Sequence, residues 1–317
     1  MESTEIPKHL TDALTEYDRI ADGIIKSFSK TIDLQETPEI IYHYTTDVGL
    51  KGILESGQLW LTDIFYLNDP SEVSHGVSYA FDILKSKAEQ GPTESQIFAK
   101  LFGNFLQEGI QRCAHYFVCC FSSNGNDLGQ WRAYADDGCG YALGFDTKGL
   151  EGSFATVDKV PAATFPVTYD DAELERIQRQ LVENMFGLIS LPFAENLTRS
   201  VINDYMHNLS VNLSVHVVQA ALFFKHAAYD NEKEYRFMQL FRGDVPAPEV
   251  KRRLRRYELI KYREFNWRHL CPGALKRIVV GPAADRSKAH RFATDCLAAF
   301  HTGDIEIECS KIPYRVA

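Results

Sequence analysis

Leu10, Leu14, Tyr17, Ile24 and Phe28 recur at helical spacing, which predicts an amphipathic helix near the start of the chain. Pro38 interrupts the pattern. The β-branched and aromatic run EIIYHYT (39–45) predicts a strand, followed by a short helix that Gly57 ends and a second strand, QLWLT (58–62). Asn68, Asp69 and Pro70 mark a turn. Helices are predicted over 71–88 and 93–110, then a buried strand, AHYFVCCFS (114–122), and a polar loop. GCGYALGF (138–145) predicts a strand whose glycines imply a bulge or a close backbone approach, and TFPVTYD (164–170) predicts one more. Leu174, Ile177, Leu181, Met185 and Leu188 open a helical block over about 171–226. Strands return at 234–241, 257–265 and 276–281, and a helix (286–300) and a strand (305–309) complete the pattern. Helices and strands fall in blocks rather than alternating, so the expected fold class is α+β. The expected division is an N-terminal helical extension (1–38) and a single α+β domain (39–317) with a helical insertion over about 171–226.

Composition changes this picture little. Hydrophobic residues make up 45% of the chain and charged residues 24%, as in ordinary globular proteins, and aromatics at 12% suffice for a core and a lined pocket. The net charge of −9 argues against a broad surface coated with nucleic acid, although a small local basic site for it stays open. No basic segment followed by an apolar core opens the sequence, and no run approaches the roughly 20 apolar residues that span a bilayer. The expected location is therefore cytoplasmic, with no membrane partner. The longest apolar run, Val217 to Phe224, is followed at once by Lys225 and His226. Seven cysteines, an odd number without CxxC spacing and with Cys119 beside Cys120, suit reduced thiols rather than a disulfide or zinc framework.

Several polar residues interrupt apolar surroundings. His43 lies between Tyr42 and Tyr44, on the opposite face of its strand from both. Its ring suits a hydrogen bond to a ligand hydroxyl, or equally to Thr45 or Thr46. Glu234 heads an otherwise apolar strand with Arg236 on the same face, an arrangement that fits a catalytic carboxylate or a bracing ion pair. Glu232 shares that face if the strand extends back so far. Trp131 and Tyr134, at i and i+3 beside the polar loop, would align their rings on one helical turn. Asn68, Asp69, Glu72 and His75 form a polar turn, but no recognised ligand spacing is present and no metal is expected. The run Lys251, Arg252, Arg253, Arg255, Arg256 reads as one solvated helical face that could touch phosphates. No Walker loop, GxSxG elbow or HExxH appears, so NTPase, serine-hydrolase and zincin chemistry is unsupported.

Taken jointly, IYHYTT, GLKGILESGQLWLT, LNDPSE, CFSS, DLGQWRAYADDGCGYALGF, EKEYRF and the ending IPYR resemble the bacterial family named domain of unknown function 2971, over about residues 40–317. That family is distantly similar to the ADP-ribosyltransferase superfamily, in which a first-strand His and a Glu on a later strand flank the NAD site. The resemblance implies a split mixed β-sheet of that type and NAD as substrate. It implies ADP-ribosyl transfer or NAD hydrolysis, in a toxin or phage-defence setting. It assigns Glu234 and His43 to catalysis, His43 with Tyr44, Thr45 and Ser122 to NAD binding, and Glu232 to target recognition. Tyr66, Trp131 and Tyr134 become candidates for the wall that stacks on nicotinamide. Ser122 and Ser123 resemble the Ser-Thr-Ser strand of another transferase branch, but that branch carries Arg where this chain has His43. The acceptor stays open among protein, nucleic acid, small molecule and water. The competing expectation is a non-catalytic sensor or binding module on the same fold.

Overall fold

The run Ala114–Ser122 forms strand β3, and its centre from Tyr116 to Phe121 is continuously apolar because both of its faces are covered. Tyr116 and Val118 enter one hydrophobic cluster, while Phe117, Cys119 and Phe121 enter another. The computed structural model describes residues 5–33, 37–67, 71–108, 114–155, 162–242, 249–301 and 303–315. Within them one mixed, open sheet contains β1 (Ile40–Thr45), β2 (Leu59–Asp63), β3, β4 (Tyr141–Asp146), β5 (Ala162–Pro166), β6 (Glu234–Arg242), β7 (Lys251–Arg255), β8 (Glu258–Phe265), β9 (Leu275–Val280) and β10 (Glu306–Cys309). The order is β10-β9-β4-β1-β3-β2-β8-β7, with β6 added to β3 and β5 to β6. β9 and β10 pair in parallel, and β3 with β6 antiparallel.

Helices cover both faces, so the protein is a mixed α+β fold. On one side lie α1 (Lys8–Asp33), α3 (Ser71–Glu89), α4 (Thr93–Glu108), α7 (Asp171–Phe186) and α8 (Arg199–Ala221). On the other lie α2 (Asp47–Ser56), α6 (Thr147–Phe154), α9 (Trp267–Leu270) and α10 (Arg286–Phe300). α5 (Leu128–Tyr134) closes one end beside a third, small cluster of Tyr44, Trp131, Ala135, Ala142 and Val279. The apolar stripe of α1 packs against α7 and α8, burying Leu10, Leu14, Tyr17 and Phe28. His216 of α8 fastens that contact with a 3.0 Å bond to Asp18. α2 begins where the Thr46 hydroxyl accepts from the Gly49 amide, and ends at Gly57, whose φ of 67° carries the chain into β2. Among the described residues no helix is long and apolar enough to cross a membrane.

Four expectations need correction. The basic run is not helical: Lys251–Arg255 is β7, paired with β8 from Lys251↔Tyr262 to Arg255↔Glu258. The hairpin turns at Arg256, whose φ is 52°. Pairing with β8 thus overrides the weak strand preference of Lys and Arg. The strand expected from 138 starts only at Tyr141, because Asp136, Asp137 and Gly138 make a tight turn with φ of 49°, 48° and 87°. Gly140 meets the expected close approach: a Cβ there would sit 2.2 Å from the Thr45 carbonyl oxygen. The strand expected over 164–170 spans Ala162–Pro166, since Thr168 pairs instead with the chain leaving α8, through Phe223 and Lys225. Glu232 is not on β6. It ends a 3-10 turn, Ala227–Glu232, and Lys233 at φ 45° turns the chain into the strand. The expected turn at Asn68, Asp69 and Pro70 lies outside the described residues.

Candidate functional site

The two edges of β3 are treated differently. Along one edge it pairs with β6 over its whole length, from Ala114↔Arg242 to Ser122↔Glu234. Along the other, β1 meets it at Tyr42↔Ser122 and β2 at Thr62↔Val118 and Asp63↔Phe117. Cys119, Cys120 and Phe121 face the gap where β1 and β2 diverge. A cavity of about 300 Å³ occupies this split. Tyr42, His43, Tyr44, Tyr66, Tyr134, Glu232 and Glu234 all border it.

His43 fills the split. The Cys120 carbonyl faces that edge, and His43 Nδ1 lies 3.1 Å from it. A carbonyl only accepts, so Nδ1 carries the proton in this bond. Burial pushes the imidazole pKa below its ordinary value against the pull of that bond, and the charge of Arg253 adds to the depression. The ring is therefore neutral, with Nε2 as an acceptor for a ligand hydroxyl. His43 shares its strand face with Ile41 and contacts Phe121 at 5.7 Å. Glu234 and Arg236 project from the opposite face, beneath α7 and α8. The open split lets both faces contribute to one cavity.

The acidic wall is built from a turn and a strand end. Glu234 is 6% exposed and accepts from Arg236 Nε at 2.7 Å, Arg236 Nη2 at 3.1 Å and Lys225 Nζ at 3.2 Å. Arg236 is fully buried, and its Nη1 donates to the Leu222 carbonyl at 2.8 Å. Burial alone would raise the Glu234 pKa, but the Arg236 ion pair outweighs it, helped by Lys225 and the Cys120 thiol, so the carboxyl is held well below the usual range. Lys225 also binds Glu232 at 2.5 Å. Glu232 is less enclosed, at 12% exposed, and its other oxygen has the Tyr134 hydroxyl at 3.4 Å. Burial, then the Glu232 charge, raise the Tyr134 pKa, so its hydroxyl keeps its proton.

Opposite this wall stand Trp60 and Thr62 of β2 and Arg253 and Arg255 of β7. The Arg253 guanidinium sits 5.3 Å from the Trp60 ring centre, and its Nη2 donates to Thr62 Oγ1 at 3.3 Å. Tyr42 and Tyr229 add further aromatic wall.

Residues 130–237 match a family model described as Protein of unknown function (DUF2971). No curated protein and no solved structure matches the chain. The matched stretch begins at Gln130 and contains Tyr134, Lys225, Glu232, Glu234 and Arg236, and so the whole acidic wall. β1 with His43, and β7 with its arginines, lie outside it.

Three of the expected site residues are not at the cavity. Trp131 is fully buried, packs edge-on against Tyr44 at 4.8 Å and donates from Nε1 to Asn126 Oδ1 at 3.0 Å. It pins the polar loop, so its ring and that of Tyr134 serve different surroundings. The Ser122 hydroxyl donates to the Glu232 carbonyl at 2.7 Å and accepts from the Asn124 amide at 3.1 Å. It holds the backbone that presents Glu232. Thr45 faces the start of α2, where its Oγ1 would lie 1.9 Å from a Cβ on Gly49. Tyr44 borders the cavity, but its hydroxyl is engaged by the Asn124 carbonyl and the Asp127 amide at 2.7 and 3.0 Å.

Sequence reasoning missed Lys225, Tyr42, Trp60, Tyr229 and the strand character of Arg253 and Arg255. Lys225 left one signal: a cation directly after an apolar run must leave the core or find a carboxylate. Among the described residues no group of three or more His, Cys, Asp or Glu is arranged to hold a metal. His75 lies 3.1 Å from Asp171, while Asn68, Asp69 and the Glu72 side chain are outside the described residues.

Proposed function

We propose that the split sheet is of ADP-ribosyltransferase-like type, and that the chain binds NAD in the split and breaks the bond between nicotinamide and ribose. The ADP-ribosyl group passes to water or to an acceptor. One observation carries this reading: the neutral His43 and the Glu232–Lys225–Glu234 cluster, distant in sequence, border one aromatic-walled cavity. Cleavage of the nicotinamide bond passes through an oxocarbenium-like state that a fixed carboxylate stabilises. His43 Nε2 would accept from a ribose hydroxyl. Tyr134 and Tyr66 offer ring faces for nicotinamide.

The two carboxylates are unequal candidates. Glu234 has donors on most of its acceptor positions, two from Arg236 and one from Lys225, with the Cys120 thiol beside them. Glu232 keeps acceptor capacity toward the cavity. In this reading Glu232 meets the ribose and the developing charge, and Glu234 holds Lys225 and Arg236 in place. The role of each then differs from the one the family resemblance implies. The saturation of Glu234 equally favours a second reading, a binding module that holds NAD or a related nucleotide without cleaving it.

Calorimetric titration with NAD tests the part the two readings share. Saturable binding at up to about millimolar NAD, with a rise in melting temperature following the ordinary linkage of ligand to stability, is the expected outcome. Absence of both the heat and the shift would remove both readings.

A further inference from the structure

Gln130 is the third residue of α5, a position from which a glutamine side chain ordinarily reaches back to the amide of the N-cap residue. Here the Asp127 amide donates to the Tyr44 hydroxyl at 3.0 Å instead. The capping runs one way only, from the Gln130 backbone amide to Asp127 Oδ1 at 2.9 Å. The Gln130 carboxamide is thereby left over. The residue is 7% exposed, and among the described residues its side chain has no hydrogen-bond partner. Burying a carboxamide without partners is unfavourable. Gln130 borders the cavity in the split, so a ligand that fills the cavity and displaces its solvent must supply both a donor and an acceptor.

The surroundings narrow what that ligand group is. Tyr134 lies one helical turn further along α5 and also borders the cavity, whereas Trp131 turns into the core. The free carboxamide therefore stands beside one of the rings proposed as the nicotinamide wall. A glutamine presents an acceptor and a donor side by side in one plane. The matching group carries a donor and an acceptor at the same spacing: another carboxamide, or the amino and ring-nitrogen edge of adenine. A carboxylate does not match, because it has no donor for Gln130 Oε1. The Glu232 carboxylate, 3.4 Å from the Tyr134 hydroxyl, further opposes a negative charge on the ligand there.

We propose that Gln130 is a specificity-determining residue of the split, reading a neutral, planar donor–acceptor edge on the ligand. With Tyr134 beside it, that edge is the carboxamide of nicotinamide, held by two reciprocal N–H···O bonds, and the corresponding acid is rejected. The assignment deepens the function proposed above and rests on it for the choice of a dinucleotide. NAD carries the same chemistry at its adenine end, so the test distinguishes the two ends.

The test is a calorimetric titration of the full chain with three ligands. These are NAD, its nicotinic-acid analogue, with a carboxylate in place of the carboxamide, and its hypoxanthine analogue, with a carbonyl in place of the adenine amino group. Each is titrated into wild type and Gln130→Met, which keeps the length of the side chain and removes its hydrogen bonding. Wild type should bind NAD about 10- to 100-fold more tightly than the nicotinic-acid analogue, the scale of a hydrogen-bonded pair lost with one partner left buried. Gln130→Met should weaken NAD by about that factor, leave the acid analogue nearly as it was, and so close most of the gap. Its melting temperature without ligand should equal or exceed that of wild type, because no partner inside the protein is lost. A clear fall would reveal an internal partner and contradict the premise. Gln130→Asn, which keeps the amide but withdraws it by one methylene, carries the same binding expectation if Gln130→Met does not fold. Discrimination against the hypoxanthine analogue instead, again abolished in Gln130→Met, would keep Gln130 as the reading residue and give it the adenine end. A wild type that binds NAD and both analogues within about twofold, or a folded Gln130→Met protein that keeps the wild-type ratios, overturns the proposal and leaves NAD binding in place. A wild type that binds none of the three at about millimolar concentration removes the function proposed above, and this assignment with it.

Discussion

Glu234→Gln keeps the shape of the side chain and removes its charge from a site where that charge is needed. The glutamine oxygen can still accept from one Arg236 nitrogen. Its amide nitrogen must then face donors, because Arg236 Nη2 and Lys225 Nζ both point at Oε2. Arg236 is fully buried, its Nη1 donates to the Leu222 carbonyl, and its guanidinium would lose the carboxylate charge of Glu234. Removing one partner of a buried ion pair costs about 3–5 kcal/mol, mostly because the other charge is left uncompensated. In a chain of this size that amounts to a fall of about 5–10 °C in melting temperature. Calorimetric melts of wild type, Glu234→Gln, Arg236→Met and the double variant form a cycle that isolates the pair. The double variant should be more stable than the sum of the single losses implies, since neither member of the pair then faces the loss of the other. A Glu234→Gln protein that melts within about 1 °C of wild type would refute the reasoning, because Glu234 would then not be the counter-charge of Arg236.

Acid should expose two groups in turn. The His43 pKa is lowered from 6.5 on folding, so the unfolded chain takes up that proton more readily; stability is intact above pH 6.5 and declines as pH falls through the folded value. His43→Asn should flatten that part of a pH series of denaturant midpoints, and an unchanged slope would count against the assignment. The Glu234 contribution is fully present above its ordinary pKa of 4.5 and is lost as pH falls toward about 2, so Glu234→Gln should flatten only that lower part. Gly140→Ala places a Cβ 2.2 Å from the Thr45 carbonyl oxygen and 3.0 Å from the Ala135 backbone, which a side-chain rotation cannot relieve. A loss of about 1–3 kcal/mol in urea unfolding is expected, and an unchanged midpoint would show that β1 and the turn before β4 are not so tightly apposed.

Much of the fold is legible in local pattern. β3 stands out as an apolar run because α8 covers Tyr116 on one side while Phe121 meets Phe145 and Phe237 on the other. The stripe from Leu10 to Phe28 gives α1 by periodicity alone. β7 is hidden because four of its five residues are Lys or Arg, and only pairing with β8 makes it a strand. Glu232 is hidden for a related reason: Lys233 in a left-handed conformation makes the strand start at Glu234, two residues after the period-2 pattern of EKEYRF begins. The identities of His43 and Glu234 are visible as polar interruptions. Their meeting at one cavity is not, since it depends on β1 and β2 diverging along β3. Trp131 and Tyr134 look equivalent as letters, but an indole N–H that finds Asn126 goes to the core while a phenol that meets Glu232 stays at the cavity wall.

The central claim is chemical, and release of free nicotinamide tests it most directly. Wild-type protein incubated with NAD should liberate nicotinamide in a time course followed by chromatography. Glu232→Gln should lower that rate by about two to four orders of magnitude, the scale of a single electrostatic contribution to a transition state. Its melting temperature should stay close to wild type, because Lys225 keeps Glu234 as its partner. No nicotinamide from the wild type, or undiminished release by a folded Glu232→Gln protein, would contradict the account.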